Sequence, residues 1–123
     1  MDKAQALQVF WSSFGLPAYD ETTVPDDAKM PYITYRVATD SLESVLPLSA
    51  SLWYRDKSWA EITQKSEEVA TAIAQHGFVS YPVDGGYIWI VKGVPFAQRM
   101  REENDDMVRR IYLNVTVEFL TAT

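Results

Sequence analysis

The chain has 123 residues, a formal net charge of −6 and no cysteine. This length predicts a single domain, and the lack of thiols excludes disulfides and thiolate chemistry. The acidic balance disfavours tight binding to phosphate backbones, which requires clustered lysine and arginine. No apolar run approaches the ~20 residues of a membrane span, and the start at Met1 lacks the features of a signal peptide. We therefore expect a chain without a membrane partner.

The first half of the chain predicts one helix followed by two strands. A helix is predicted over residues 3–14, with Gly15 as its stop, because apolar side chains recur there at helical spacing: Ala4, Leu7, Phe10, Trp11 and Phe14. The proline-containing residues 16–31 predict a surface connection. Alternation of apolar and polar residues predicts strands at 32–40 and 48–55, which pair antiparallel across a loose turn at 41–47.

The second half predicts a helix and three strands. Ser58 and Glu61 have the spacing of a capping box, and the helix that follows has an apolar stripe and Gly77 as its C′ residue. The stripe consists of Trp59, Ile62, Ser66, Val69, Ala70 and Ile73. The Asp-Gly-Gly run within residues 83–86 predicts a hairpin turn between strands at 78–82 and 87–91.

The remaining residues complete the predicted fold. Residues 93–108 are expected to leave regular structure, and strict alternation predicts a last strand at 109–120. The fold class that follows is α+β, with one mostly antiparallel β-sheet and two α-helices packed on one face. We expect residues 1–123 to form this one domain.

Candidate catalytic and metal sites are weak in this sequence. His76 is the only histidine, and its position at a helix end favours a role with the helix dipole. The acidic run at residues 102–106 lacks the ligand spacing and the glycine of a calcium loop. Nucleophile-elbow, P-loop and dinucleotide motifs are absent from the sequence. We predict no catalytic, cofactor-binding or metal-binding residue, and no enzyme activity; a hydrolase with paired carboxylates is the least favoured alternative.

Aromatic residues recur along the predicted strands. If several of them lie on the face that the helices leave uncovered, that face has the size and composition of a protein interface. The equally weighted alternative is that helices and loops cover them all. The residues are Tyr32, Trp53, Tyr87, Trp89 and Tyr112.

The segment from residue 93 to residue 107 is a second candidate for an interface. It is too polar for the core, and long irregular segments inside compact domains are usually functional or disordered. We expect it to be mobile in the free protein and to become ordered against a neighbouring subunit. Its apolar side chains would anchor the contact while guanidinium groups bind carboxylates. The predicted interface residues are Val94, Phe96, Arg99, Met100 and Arg101.

Several segments of the chain, read in order, carry a resemblance to a known family. They are residues 15–19, 24–25, 31–35, 51–55 with 58–59, 84–89, 95–100 and 109–112. These segments resemble the tail terminator family of long-tailed bacteriophages and prophages. The similarity runs in order over nearly the whole chain, and no single motif is diagnostic.

The resemblance implies a structural protein of the virion tail and neck, assembled in the host cytoplasm. Such proteins form a hexameric ring that caps the head-proximal end of the tail tube, ends tube polymerisation and presents a surface for head–tail joining. The implied partners are further copies of the chain, the tail tube protein, a neck or connector protein and, in a contractile tail, the sheath protein. DNA would pass through the lumen without specific binding, because an acidic wall repels it. Another neck component, such as a head-completion or stopper protein, and a non-viral binding module remain alternatives.

Overall fold

The computed structural model describes residues 1–39 and 44–121. Its two helices and six strands confirm the predicted α+β class. In chain order they are α1 (Lys3–Ser12), β1 (Ala18–Asp20), β2 (Tyr32–Tyr35), β3 (Ser44–Arg55), α2 (Ala60–Ala74), β4 (Val79–Val83), β5 (Gly86–Met100) and β6 (Val108–Thr121). The strands form one sheet in the order β1-β2-β3-β6-β5-β4. All neighbouring strands are antiparallel except β1 and β2, which are parallel.

The predicted antiparallel pair of β2 and β3 and the predicted hairpin are both confirmed. In the hairpin, Val83 pairs with Gly86, so the loop consists of Asp84 and Gly85 alone. Gly85 has a φ of 82°, the conformation for which glycine is favoured in a two-residue turn. Gly77 has a φ of 82° as well, two residues beyond the C-cap Gln75 of α2 rather than at the predicted C′ position.

Three predictions of irregular structure are wrong. Residues 16–31 contain the short strand β1, and the predicted turn at 41–47 overlaps the start of β3 at Ser44. Residues 41–43 of that turn, and residue 40 of the preceding predicted strand, lie outside the described residues. Residues 93–100 belong to β5, because this strand resumes its pairing with β6 after an irregularity between Lys92 and Ala97. The bulge interrupts the alternation from which strands are predicted.

The structure has a capping box at α1, not at α2, where it is predicted. Helix α2 begins at Ala60, and its N-cap residue Trp59 makes no side-chain cap hydrogen bond. The Ser58 hydroxyl instead accepts a hydrogen bond from the Ala60 amide at 3.0 Å. At α1, the Asp2 carboxylate accepts a hydrogen bond from the backbone N–H of Gln5 at 2.7 Å. The side-chain oxygen of Gln5 in turn accepts one from the backbone N–H of Asp2 at 2.8 Å. This reciprocal pair is the arrangement that was predicted at α2.

The core joins both helices to the sheet. Along β6 every second side chain from residue 111 to residue 121 is buried, and those from 110 to 120 are only half-buried. The apolar members of the buried set form a single cluster with the buried apolar side chains of α1 and α2. In α1 these are Ala6, Leu7, Phe10 and Trp11, whereas the predicted Ala4 is exposed. The packing of both helices on the same face of the sheet stays a prediction.

The capping box at α1 can be tested by substitution of Asp2. We expect Asp2→Ala to lower the free energy of unfolding by about 1 kcal/mol, because the Gln5 amide loses its acceptor. Asp2→Asn is the matched control, since asparagine keeps an acceptor oxygen, and it should lower the stability less. Urea denaturation measures both. Equal losses in the two variants would contradict the capping role.

The phenol of Tyr54 makes the free energy of unfolding depend on pH. Burial raises the pKa of its phenol, and the nearby carboxylates of Glu61 and Glu68 raise it further. A group whose pKa is raised in the folded state contributes stability below its unfolded pKa of about 10 and loses that contribution as the pH rises. We therefore expect the free energy of unfolding to fall less steeply above about pH 10 in Tyr54→Phe than in the parent protein. Parallel pH profiles from urea denaturation would show that Tyr54 does not contribute.

Candidate protein interface

The side chains that alternate with the buried ones form the second face of the sheet, which we call the outer face. Strand register places all five predicted aromatic residues on it. Tyr32 pairs with Trp53, which pairs with Arg110. Tyr87 and Trp89 pair with Leu120 and Glu118, residues of the same half-buried β6 set, and Tyr112 belongs to that set as well.

The composition of the outer face differs from that of the whole chain. The sequence has 17 acidic residues and 11 lysines and arginines. Among the strand residues that the structure describes, only Arg55, Arg110 and Glu118 are charged on this face, by strand register. Protein interfaces are enriched in aromatic residues, methionine and arginine and depleted in lysine and acidic residues. The outer face therefore has the composition of an interface.

One half of the outer face is a continuous row of stacked groups. We call it the aromatic row, and it consists of Tyr19, Tyr32, Trp53, Arg110 and Tyr112. Ring centroids are 5.7 Å apart between its first two members and 6.5 Å apart between Tyr32 and Trp53. The Arg110 guanidinium lies 4.7 Å from the Trp53 ring and 5.9 Å from the Tyr112 ring. The row crosses four of the six strands.

Hydrogen bonds hold this row in place. The Arg110 Nε donates to the Ser51 hydroxyl at 3.0 Å, and its guanidinium pairs with Glu102 at 3.5 Å. The Trp53 indole N–H donates to the Thr34 hydroxyl at 2.9 Å. Side chains that are already ordered lose little entropy when a partner binds, so the row is a preorganised surface.

The other half of the outer face exposes apolar side chains, which we call the apolar patch. Phe78 and Trp89 stack with centroids 5.1 Å apart at an interplanar angle of 24°. Trp89 is 40% exposed, and two further members, Tyr87 and Val45, are 55% and 56% exposed. Large apolar side chains that remain exposed together mark interaction surfaces more often than isolated ones do.

The structure separates the predicted interface residues into two groups. Val94 and Phe96 lie in the bulge of β5, where Val94 is 99% exposed and Phe96 packs against the core. Arg99, Met100 and Arg101 line a surface cavity of about 390 Å³. The first of these, Arg99, has its guanidinium 4.8 Å from the ring centroid of Trp59, which also lines the cavity.

Arg109 also lines this cavity. Its guanidinium is 5.5 Å from the Trp59 ring and donates to the backbone carbonyls of Lys57 and Asp106. Glu102 also lines the cavity but is paired with Arg110. Arg109 and Glu102 therefore have partners within the chain. Arg99 contacts Trp59 and the Thr63 hydroxyl but, like Arg101, forms no ion pair among the described residues.

The other candidate groups have ordinary structural surroundings. His76 is exposed just beyond α2. In the acidic run, the pKa of Asp105 is lowered, first by the hydrogen bond from the Met107 amide and then by that from Arg55. No group of three or more metal-ligating side chains occurs within residues 1–39 and 44–121. In the same part of the chain, neither helix is long and apolar enough to cross a membrane.

Sequence patterns do not predict two members of the candidate interface. Tyr19 falls in a predicted connection, because a strand of three residues is too short to show alternation. Phe78 falls in the predicted hairpin, but its stacking on Trp89 depends on the pairing of β4 with β5. A comparison with models of protein families, with curated proteins and with solved structures gave no significant match.

Substitution of Arg110 tests the aromatic row. Arg110→Lys should lower the free energy of unfolding by about 1–2 kcal/mol, because an ammonium group cannot stack on Trp53 while it also contacts Ser51 and Glu102. Arg36→Lys is the matched control, since the Arg36 side chain forms an exposed ion pair with Glu21, and it should change stability by less than about 0.5 kcal/mol. Equal effects in urea denaturation would contradict a special role of Arg110.

Proposed function

We propose that this chain is a structural assembly protein that forms a ring at the head-proximal end of a phage-type tail tube. The ring ends tube polymerisation and offers a surface for head–tail joining. The observation that carries the assembly role is the outer face, which combines the aromatic row with the apolar patch. The resemblance of segments along nearly the whole chain to tail terminators supports the specific role in the tail.

The distribution of charge is compatible with such a ring. The chain has a net charge of −6, yet the strand residues of the outer face include few charged groups, as their register shows. The acidic side chains therefore lie mainly elsewhere on the surface. In a ring that uses the outer face for contact, the acidic surfaces remain available to border a channel, and an acidic channel wall repels DNA and lets it slide.

The partners follow from the same proposal. Further copies of the chain complete the ring, which we propose to be hexameric. The tail tube protein contacts one side of the ring, and a neck or connector protein contacts the other. In a contractile tail, the sheath protein also binds. The protein is then part of the completed virion, and the ring assembles in the host cytoplasm.

The apolar patch provides the test of this function. We expect the double substitution Tyr87→Ser and Trp89→Ser to leave the fold intact, because both side chains are exposed. In cells that assemble tails with this variant, electron microscopy should show overlong tails that are not joined to heads. Val9→Ser is the control, because Val9 is a similarly exposed apolar residue on α1 and outside the outer face.

The possible outcomes distinguish the alternatives. Overlong tails with the double variant, together with normal tails in the Val9→Ser control, would support termination. Tails of normal length that fail to join heads would favour another neck component. Normal tails joined to heads would contradict any role of the apolar patch in assembly.

A further inference from the structure

The last residues of β5 form an open sheet edge. Strand β4 pairs only with residues 86–90 of β5, whereas residues 97–100 pair only with β6. In an antiparallel pair, alternate residues turn their N–H and C=O groups away from the partner strand. Among the described residues, 97–100 form no backbone hydrogen bond beyond those of the sheet, and all four side chains are exposed. We call residues 97–100 the β5 edge.

The other edges of the sheet, at β1, at β4 and along residues 44–49 of β3, which pair with β6 but not with β2, are protected. On β3, the Ser49 carbonyl accepts a hydrogen bond from the Arg36 amide at 2.9 Å, and Pro47 has no N–H to donate. At β1, the Ala18 carbonyl accepts a hydrogen bond from the Gln8 side chain at 3.1 Å, and the Asp20 carbonyl accepts from the Thr23 amide at 2.9 Å. At β4, Pro82 has no N–H to donate. Exposed edges invite pairing with other chains, and proteins commonly block them. Because the other edges carry these blocking groups, the β5 edge is the one suited to accept a strand.

The charges beside this edge indicate what kind of strand it accepts. Arg99 and Arg101 are two residues apart, as are side chains on the same side of an extended chain. Both are exposed, and neither forms an ion pair within the described chain. Arg99 is already oriented by its stacking on Trp59 and by a hydrogen bond to the Thr63 hydroxyl at 3.4 Å. Two guanidinium groups are thus available to carboxylates.

We propose that the β5 edge binds an extended segment of a partner protein as an added strand, with carboxylates at alternate positions facing Arg99 and Arg101. Backbone hydrogen bonds to residues 97–100 give the affinity in this mode of recognition, and the side chains that alternate along the added strand give the specificity. Charge-assisted hydrogen bonds from guanidinium to carboxylate are roughly twice as strong as neutral ones. The inference rests on the edge and its charges and holds whether or not the chain terminates tails.

A second copy of this chain is a poor donor of the strand. Antiparallel pairing of two β5 edges would bring the arginines of one copy against those of the other, and like charges in facing positions are destabilising. The edges at β1, β3 and β4 of the second copy are blocked by the contacts described above. A segment of a different chain, free to adopt an extended conformation, meets neither obstacle.

Synthetic hexapeptides provide the probe. An acetylated and amidated peptide of alternating glutamate and valine should bind the full-length protein and slow amide hydrogen exchange at residues 97–100. Arg99→Gln and Arg101→Gln should each raise the dissociation constant about tenfold, because one charge-assisted contact is lost. Arg36→Gln, which alters an exposed arginine far along the sheet from β5, should leave it unchanged.

Peptide variants separate strand addition from simple attraction of charge. The counterpart with glutamine should bind more weakly, the counterpart with lysine should not bind, and N-methylation of alternate backbone nitrogens of the acidic peptide should abolish binding. Absence of binding by the acidic peptide, equal binding of the lysine peptide, or full binding of the N-methylated peptide would overturn the proposal. Protection of residues 97–100 in the concentrated protein alone would assign the edge to a second copy instead.

Discussion

The alternation of side chains along β6 is the constraint on which the rest of the structure depends. This strand pairs along its length with β3 on one side and β5 on the other. Its residues Ile111, Leu113, Val115, Val117 and Phe119 are buried in one cluster with both helices. Because side chains alternate with a period of two, burial of this set turns the set from Arg110 to Leu120 to the opposite face. The core and the outer face are therefore two consequences of the same pattern.

Arg110 shows how side-chain contacts keep one residue of the outer face in place. Its guanidinium stacks on Trp53, donates to Ser51 and pairs with Glu102, so its position is determined by β3 and by the segment that follows β5. Within the part of the chain that the structure describes, the apolar patch at the other end of the sheet has no comparable polar network, and its rings remain exposed. The aromatic row, whose side chains are held by hydrogen bonds, lies beside the exposed apolar patch. The row can orient a partner, and the patch supplies the apolar area that protein interfaces bury.

Sequence patterns predicted the elements whose periodicity is uninterrupted. Both helices, the hairpin at Asp84 and Gly85, and β6 all follow this rule. Prediction was wrong where pairing overrides local pattern: β1 is too short to alternate, and β5 continues to Met100 only because β6 restores the register beyond the bulge. The five predicted aromatic residues share one face, as one alternative anticipated, but the stacking of Phe78 and the ion pair of Arg110 depend on residues distant in sequence. Free charges beside an open edge likewise become recognisable only in three dimensions.

We propose that the outer face becomes buried when copies of this chain assemble at one end of a tail. Electron cryomicroscopy of isolated tails tests it most directly, because the density locates the protein and identifies its contacts together. The account predicts a single six-fold layer at the head-proximal tip, in which the outer face, including Trp89, is buried against a neighbouring protein. Density for the chain along the tube or at the distal tip, or a terminal layer in which the outer face remains exposed to solvent, would contradict it.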